Sequence, residues 1–246
     1  MSAVEYTHEA GIARIHLNRP ERLNAVVPAL VDGLLDAFDR AGTDGARAVV
    51  LAGRGRAFCS GYDLKEPDLD ETALQTRARV ERIQDVTRAF RRFPGIVIGA
   101  VHGYALGAGA EFALGCDLVV AAEDAQLGFP EVGVGLSVTG GISQLLPLVV
   151  GPMRAKELLV LGERVDAHRA HALGLVNTVV ETGAHEEHAL ALARRVAERP
   201  ALATSIAKQT IDRGVDATLD QALAHEVEHA LLTRAANERD VFAPQD

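Results

Sequence analysis

The chain of 246 residues is 48% apolar and 24% charged, and 25 basic against 34 acidic residues give a formal net charge of −9. This length and apolar fraction allow one sizeable core and exclude disordered and fibrous classes. The acidic balance, without a long run of Lys or Arg, argues against nucleic acid or an anionic membrane as the main partner.

Short apolar runs alternate with amphipathic segments through most of the chain. Residues 12–17 and 48–52 have the length and composition of strands, and the apolar positions of residues 28–41 fall on one face of a helix. Further buried strands are predicted at residues 96–101, 116–121 and 176–180. Strands and helices that alternate in this way predict an α/β fold.

The last quarter of the chain has a different pattern. No strand is predicted after residue 180, and three amphipathic helices are predicted at residues 185–198, 201–213 and 217–235. We therefore expect an α/β core over residues 1–183 and a helical C-terminal region over residues 184–246. Such a region must bury its apolar stripes against the core or against a partner subunit.

Three features of the sequence bear on membrane contact and compartment. Residues 132–153 carry no charge and could span a bilayer by length, but five glycines and two prolines indicate a buried, turn-rich stretch instead. With only Cys59 and Cys116, no disulfide framework is predicted, and a reducing compartment is the simpler interpretation. The first residues lack a signal-peptide pattern, so we expect a cytoplasmic protein without membrane contact.

Two glutamates lie in apolar, glycine-rich sequence. Glu111 follows Gly107 and Gly109, where a helix is expected to begin near Ala108, and Glu131 lies 20 positions further on. Free N–H groups at a helix start stabilise negative charge, and carboxylates in apolar surroundings suit acid–base chemistry. The alternative is two separate structural carboxylates, because sequence spacing does not show that the two meet.

Other candidate motifs are weaker. A second glycine turn at residues 58–64 (FCSGYDL) follows the strand at 48–52 and could supply another N–H donor, or be an ordinary loop capped by Asp63. Cys59 has no neighbouring His or Lys to activate it, which favours a small buried residue. No dinucleotide fingerprint, phosphate loop or G-x-S-x-G elbow is present.

The segment 225–229 (HEVEH) matches the zinc-protease pattern H-E-x-x-H. Helical projection places an apolar stripe on one side (Leu219, Leu223, Val227, Ala230, Leu231) and His225 and His229 on the other, towards solvent. A catalytic zinc also needs a third ligand and a cleft, so we expect a solvated helix face without metal.

The sequence resembles the enoyl-CoA hydratase/isomerase (crotonase) superfamily. The resemblance is carried by motifs in order along nearly the whole chain: 17–25 (LNRPERLNA), 57–64 (AFCSGYDL), 103–111 (GYALGAGAE), 116–117 (CD), 129–133 (FPEVG), 162–163 (GE) and 174–177 (GLVN). It implies a spiral of ββα units and a helical C-terminal oligomerisation region that forms homotrimers, often paired into hexamers. It also implies an acyl-CoA thioester substrate and no further cofactor, since CoA is part of the substrate.

The resemblance also assigns roles to residues. The backbone N–H groups of Tyr62 and Ala108 would form the oxyanion hole, with Glu111 holding and deprotonating water and Glu131 supplying the α-proton. Substrate or CoA contacts are expected from one set of residues, Arg22, Ala25, Ser60, Asp63, Leu64, Lys65, Gly107, Thr139 and Gly141. The implied activity is that of a lyase of fatty acid metabolism, an enoyl-CoA hydratase that adds water syn to a trans-2-enoyl-CoA.

The sequence departs from the family pattern near the site. Ala108 replaces the middle glycine of a triplet, and Val138 and Thr139 replace the usual Pro-Gly. Residues 132–150 contain no acid, which disfavours the dehalogenase-like and dienoyl-isomerase branches. An enoyl-CoA isomerase, which uses only the second glutamate, and a non-catalytic scaffold that binds CoA esters or RNA remain as alternatives.

Overall fold

The structure, a computed structural model, describes residues 2–65 and 71–241. In this part of the chain the strands are β1 (Val4–Glu9), β2 (Ile12–Leu17), β3 (Ala48–Gly53), β4 (Ile96–Val101), β5 (Tyr104–Leu106), β6 (Leu118–Ala122), β7 (Gln126–Gly128), β8 (Val165–Asp166) and β9 (Thr178–Val180). The α-helices are α1 (Pro28–Thr43), α2 (Ala73–Arg92), α3 (Ala108–Gly115), α4 (Ile142–Leu161), α5 (Ala167–Ala172), α6 (His185–Ala197), α7 (Ala201–Gly214) and α8 (Leu219–Val241).

The larger sheet has the strand order β1-β2-β3-β4-β6-β9 and is parallel except for the β1–β2 hairpin. Helices cover both of its faces, which explains why β3 is an unbroken apolar run rather than an alternating one. Ala48, Val50 and Ala52 face α6, while Val49 and Leu51 belong to the core on the other side, with α1, α2 and α3. The predicted α/β architecture is confirmed.

A smaller second layer explains how chain segments reach one another. The short strands β5, β7 and β8 form a second sheet, and isolated bridges join Val26 to Tyr62 and Cys59 to Ala105. Each of several successive turns of the chain thus gives a long strand to the first sheet and a short extended segment to the second. The segment at 59–62 therefore lies beside β5, and the turns that follow both segments are neighbours.

Most predicted elements match the structure, with differences at their ends. The strand predicted at 116–121 begins only at Leu118, because Cys116 caps α3 and the Asp117 carboxylate accepts a hydrogen bond from the Val97 N–H at 2.7 Å. Strand β1 and the long helix α2 were not predicted.

The expectation that residues 132–153 are buried is wrong. This stretch forms a 3-10 turn at Glu131–Val134 and the first half of α4. Several of its apolar side chains are exposed in the single chain (Val132, Val134, Leu136, Leu148, Val149, Met153). None of the described helices is long and apolar enough to span a membrane.

The C-terminal helices correct a second expectation. Helix α6 packs on the sheet, and α7 and α8 pack against each other. His225 is exposed as predicted, but His229 is half-buried against α7, where its Nδ1 lies 2.8 Å from the Thr210 hydroxyl. Helix α8 therefore meets α7 through the face that carries Ala222 and His229, and its apolar stripe, including Leu223 and Val227, faces solvent in the single chain.

Candidate active site

The two predicted glycine turns meet at one point of the molecule. Gly61 and Gly107 both have positive φ, 92° and 54°, and a Cβ built on Gly61 would lie 3.5 Å from the Gly107 Cα and only 2.8 Å from the Leu106 carbonyl oxygen. A side chain at position 61 would therefore collide with the neighbouring backbone. Glycine permits this close approach, which brings Tyr62 and Ala108 to the same place.

Backbone N–H groups at this place lack partners. Among the residues that the structure describes, neither the Tyr62 N–H nor the Ala108 N–H has a hydrogen-bond acceptor. Ala108 is the first residue of α3, so its N–H also lies at the positive end of the helix dipole. The two groups are suited to bind an oxygen that develops negative charge.

Glu111 lies in the first turn of α3 with 2% of its surface exposed. Its Oε1 accepts a hydrogen bond of 2.6 Å from the Thr139 N–H, and its Oε2 one of 2.7 Å from the Thr139 hydroxyl. Burial raises the pKa of the Glu111 carboxyl, and the two hydrogen bonds from Thr139 oppose that rise.

Glu131 approaches the same point from the turn that follows β7. Its Oε1 would lie 3.2 Å from a Cβ placed on Gly107, so this carboxylate lies against the glycine turn. Its Oε2 is buried and has no hydrogen-bond partner in the described part of the chain. Burial raises the pKa of Glu131, a backbone hydrogen bond lowers it, and the charge of Glu111 raises it further.

A groove beside Tyr62 collects most of the residues expected to contact substrate. It is lined by Arg22, Ala25, Ser60, Asp63, Leu64 and Lys65, together with Glu21, Leu23 and Tyr62. The buried Asp63 accepts a 2.7 Å hydrogen bond from Arg22 and a longer one from Arg19, and the Arg22 hydrogen bond is the main cause that lowers its pKa. Asp63 thus fixes the arginines at the groove.

The remaining predicted contact residues divide into two groups. Gly107 and Thr139 lie at the glutamates, through the contacts given above. Gly141 does not reach them, since it is exposed and directly precedes α4, and a Cβ there would meet only Leu145.

Sequence reasoning missed residues that support the site. Asn24 is fully buried and has a φ of 55°. Its side chain accepts a hydrogen bond from the Arg19 N–H and donates to the carbonyl oxygens of Arg54 and Ala57. Asn24 therefore connects the turn before α1 to the segment that leads into Gly61. Arg79 of α2 lies over the Tyr62 ring at 5.2 Å. The apolar spacing of Ile83, Val86 and Phe90, and the Thr72/Gln75 capping box, were available signals for α2.

Two further candidates from the sequence are the Cys59 thiol and the possible metal site at residues 225–229. Burial, with a smaller contribution from the charge of Glu111, raises the pKa of the Cys59 thiol to about 12, so it is no nucleophile at neutral pH. No group of three or more His, Cys, Asp or Glu side chains among the described residues is placed to hold a metal ion. The motif at 225–229 accordingly lacks a third ligand there.

Comparison with known proteins places the chain in a family. The family model described as enoyl-CoA hydratase/isomerase matches residues 7–241. The chain belongs to this family. It is an enzyme of the hydratase-like type with the crotonase fold, and the fold implied by the sequence resemblance is confirmed.

Individual relatives span more than one activity. The chain is 35% identical to the 2,3-dehydroadipyl-CoA hydratase of Escherichia coli, over 97% of this chain and 93% of that protein. It is also 36% identical to the 1,2-epoxyphenylacetyl-CoA isomerase of the same organism, over 94% and 90% of the two chains. The crystal structure of an enoyl-CoA hydratase from Mycobacterium smegmatis matches with a TM-score of 0.89 at 34% identity, covering 95% of this chain and 91% of the other.

Proposed function

We propose that this enzyme adds water to a trans-2-enoyl-CoA and forms the 3-hydroxyacyl-CoA. The observation that carries the proposal is the convergence of the buried Glu111 and the half-buried Glu131 on one pair of unpartnered backbone N–H groups. A double-bond isomerase shuttles one proton and needs one carboxylate, whereas hydration requires both a base for water and a proton donor for the α-carbon.

The Tyr62 and Ala108 N–H groups would hold the thioester oxygen. Attack at the β-carbon moves electrons onto that oxygen and gives an enolate-like state, whose charge fixed donors stabilise without reorganisation. The methyl group of Ala108 leaves its N–H available, since the side chain does not alter the backbone donor.

The two glutamates would then divide the proton transfers. Glu111 takes a proton from water as the water oxygen bonds to the β-carbon, and Glu131 gives a proton to the α-carbon as the enolate collapses. One water is consumed: its oxygen and one hydrogen become the 3-hydroxyl group, and its other hydrogen goes to Glu111. Proton exchange with solvent then deprotonates Glu111 and reprotonates Glu131 for the next cycle. No cofactor is needed, because the thioester itself supplies the electron sink.

Binding of the CoA part is proposed for the groove at Arg22, Ser60, Leu64 and Lys65. Arg22 and Lys65 carry the positive charge that phosphate groups require. A homotrimer or a dimer of trimers, a boundary between regions near residue 183, and a cytoplasmic location without nucleic-acid or membrane partners remain predictions.

The test is the turnover of crotonyl-CoA, which is measured by the loss of the enone absorbance. Glu111→Gln and Glu131→Gln should each lower kcat by roughly 10²–10⁴-fold, the usual effect of removing a positioned acid or base. KM should change far less, because the glutamates act in the transition state, and the double variant should lose much less than the product of the single losses. Glu123→Gln, an exposed glutamate in the turn between β6 and β7, is the matched control and should keep the wild-type kcat.

Three outcomes would contradict this proposal. Loss of activity in Glu131→Gln alone would favour the isomerase, the second candidate, which the 36% identity to an isomerase makes worth testing. Wild-type turnover in both glutamine variants would show that Glu111 and Glu131 are not the catalytic groups. No turnover of any enoyl-CoA by the wild type would favour a non-catalytic scaffold that binds CoA esters.

A further inference from the structure

Thr139 is the one side chain in the described structure that donates a hydrogen bond to either of the two glutamates. Its hydroxyl and its N–H together occupy both oxygens of Glu111, at 2.7 and 2.6 Å, and the buried Oε2 of Glu131 has no such donor. Two chemically identical carboxyls in one site are therefore held in different environments.

The backbone around Thr139 is fixed on both sides. Its carbonyl oxygen accepts the Ile142 N–H at the start of α4, and the carbonyl oxygen of Gly140 accepts the Thr87 hydroxyl of α2 at 3.1 Å. Gly140 has a φ of 60°, and a Cβ there would lie 3.0 Å from both Cβ and Oε2 of Glu111. The loop thus approaches Glu111 as closely as a glycine allows.

The groups around Glu111 determine how strongly the Thr139 hydrogen bonds affect its ionisation. In the described chain, the charge of Glu111 raises the pKa of two groups, the half-buried Glu131 carboxyl and the buried Cys59 thiol, and neither of them is a cation. No cation is among the causes that act on the pKa of Glu111, and its ionised form is favoured by the two hydrogen bonds from Thr139 and by its place in the first turn of α3. Glu131 has one backbone donor and none on its Oε2, so this difference in hydrogen bonding favours a shared proton on Glu131.

We propose that Thr139 is a positioning residue. Its hydroxyl orients the Glu111 carboxylate and keeps it ionised, so that Glu111 is the base and Glu131 carries the proton. The direction of proton transfer rests on the proposed function. The control of Glu111 by Thr139 is independent of it and can be measured without turnover.

The experiment compares variants that differ in one hydroxyl. Thr139→Val keeps the shape and the backbone N–H but removes the hydroxyl donor, Thr139→Ala removes it in a smaller side chain, and Thr139→Ser retains it. Thr87→Val is the matched control, because it removes a hydroxyl from the same loop support without touching Glu111. Circular dichroism of each variant verifies that it is folded.

The first readout is the pH profile of kcat with crotonyl-CoA. Without the hydroxyl, the acid limb should move to higher pH and kcat should fall roughly 10-fold, with a smaller change in KM. Thr139→Ser should restore both the limb and the rate. Thr87→Val should leave the acid limb in place, whatever its effect on kcat, because a general loosening of the loop does not change the ionisation of Glu111.

The second readout is the protonation of Glu111 itself. Difference infrared spectra during a pH titration report the carboxylic acid band, which Glu111→Gln identifies by its loss. The band should appear at higher pH in Thr139→Val and Thr139→Ala than in wild type and Thr139→Ser. An unshifted titration in folded Thr139→Val and Thr139→Ala overturns the inference. If the titration shifts in these variants but the wild type hydrates no enoyl-CoA, the proposed function is refuted and the control of Glu111 by Thr139 stands.

Discussion

Glu111 and Glu131 have the same side chain, and their neighbours give them different properties. Glu111 is enclosed by α3 and the loop at Thr139 and Gly140, while Glu131 lies on a 3-10 turn against Gly107. Burial raises the pKa of both. Glu111 is the more deeply buried of the two, and Thr139 places a donor on each of its oxygens, whereas Oε2 of Glu131 has no partner in the described part of the chain.

A raised pKa means that the folded enzyme bears a cost for each ionised glutamate at neutral pH. Glu111→Gln removes this cost and keeps both contacts, since the glutamine oxygen accepts the Thr139 N–H and its amide donates to the Thr139 hydroxyl. We expect the variant to be more stable by about 1 kcal/mol at neutral pH, a rise in Tm of roughly 2–4 °C.

The pH dependence gives this prediction its sign. The pKa of Glu111 is higher in the folded chain than its ordinary 4.5. Ionised Glu111 therefore lowers the free energy of unfolding fully at a pH where it is ionised in both the folded and the unfolded chain, and has no effect at a pH where it is protonated in both. The gain from glutamine should therefore shrink as pH falls towards 4.5. Thermal denaturation of both proteins between neutral and acid pH measures it, and a variant less stable than wild type at neutral pH would show that ionised Glu111 is not strained.

At the scale of elements, Lys208 joins α7 to the sheet. It is 7% exposed, and its Nζ lies 2.8 Å from the Asp117 carboxylate and 2.7 Å from the Phe90 carbonyl oxygen. Asp117 in turn accepts the Val97 N–H at the start of β4. One ammonium group therefore connects the ends of α2 and α3 to the C-terminal helices.

Removing one member of a buried pair leaves the other charge unpaired. Lys208→Met should lower the free energy of unfolding by roughly 3–5 kcal/mol, as observed for broken buried ion pairs. Lys156→Met, at an exposed position of α4, is the control and should stay within about 0.5 kcal/mol of wild type. Denaturant titration measures both, and Lys208→Met with Asp117→Asn should recover part of the loss. Equal stability of Lys208→Met and wild type would show that the pair contributes nothing.

Helix α2 illustrates why some elements escape sequence reasoning. It combines three buried apolar side chains with many charged residues, so its low mean hydropathy hides an apolar face of correct spacing. Strand β1 is predicted as poorly, because the burial of VEYTHE falls from Val4 at one end to exposed residues at the other. Both are edge or surface elements, where local composition carries less of the signal.

At the scale of the whole molecule, the single chain leaves apolar surface uncovered. Met153 of α4 is 86% exposed, and Leu219, Leu223, Val227 and Leu231 of α8 are exposed along one stripe. Apolar patches of this kind mark contact surfaces in soluble proteins. The helical C-terminal region therefore has the exposed stripe that association would bury.

We expect the protein to run in solution as a trimer or a multiple of three, at about three or six times the chain mass of 26.1 kDa. Light scattering at micromolar concentration measures the mass, and a monomer would contradict the prediction. Val227→Asp places a charge in the α8 stripe and should weaken the assembly, whereas Glu228→Gln on the same helix should not.

The sequence by itself determined the alternation of elements, the apolar setting of Glu111 and Glu131, and the glycines that a close approach at 61 and 107 requires. These are local properties, set by periodicity and by backbone freedom. The motifs also predicted the family, because several of them occur in order.

Only the tertiary structure decided which groups meet. That Glu131 lies against Gly107, that Thr139 occupies both oxygens of Glu111, and that His229 turns towards α7 depend on how distant segments pack. The spiral of strands brings residues 61, 107 and 131 to one point, although the sequence separates them by 24 to 70 positions. Local periodicity sets the faces of helices and strands, but contacts between loops arise from the packing of whole layers, which single-sequence patterns do not encode.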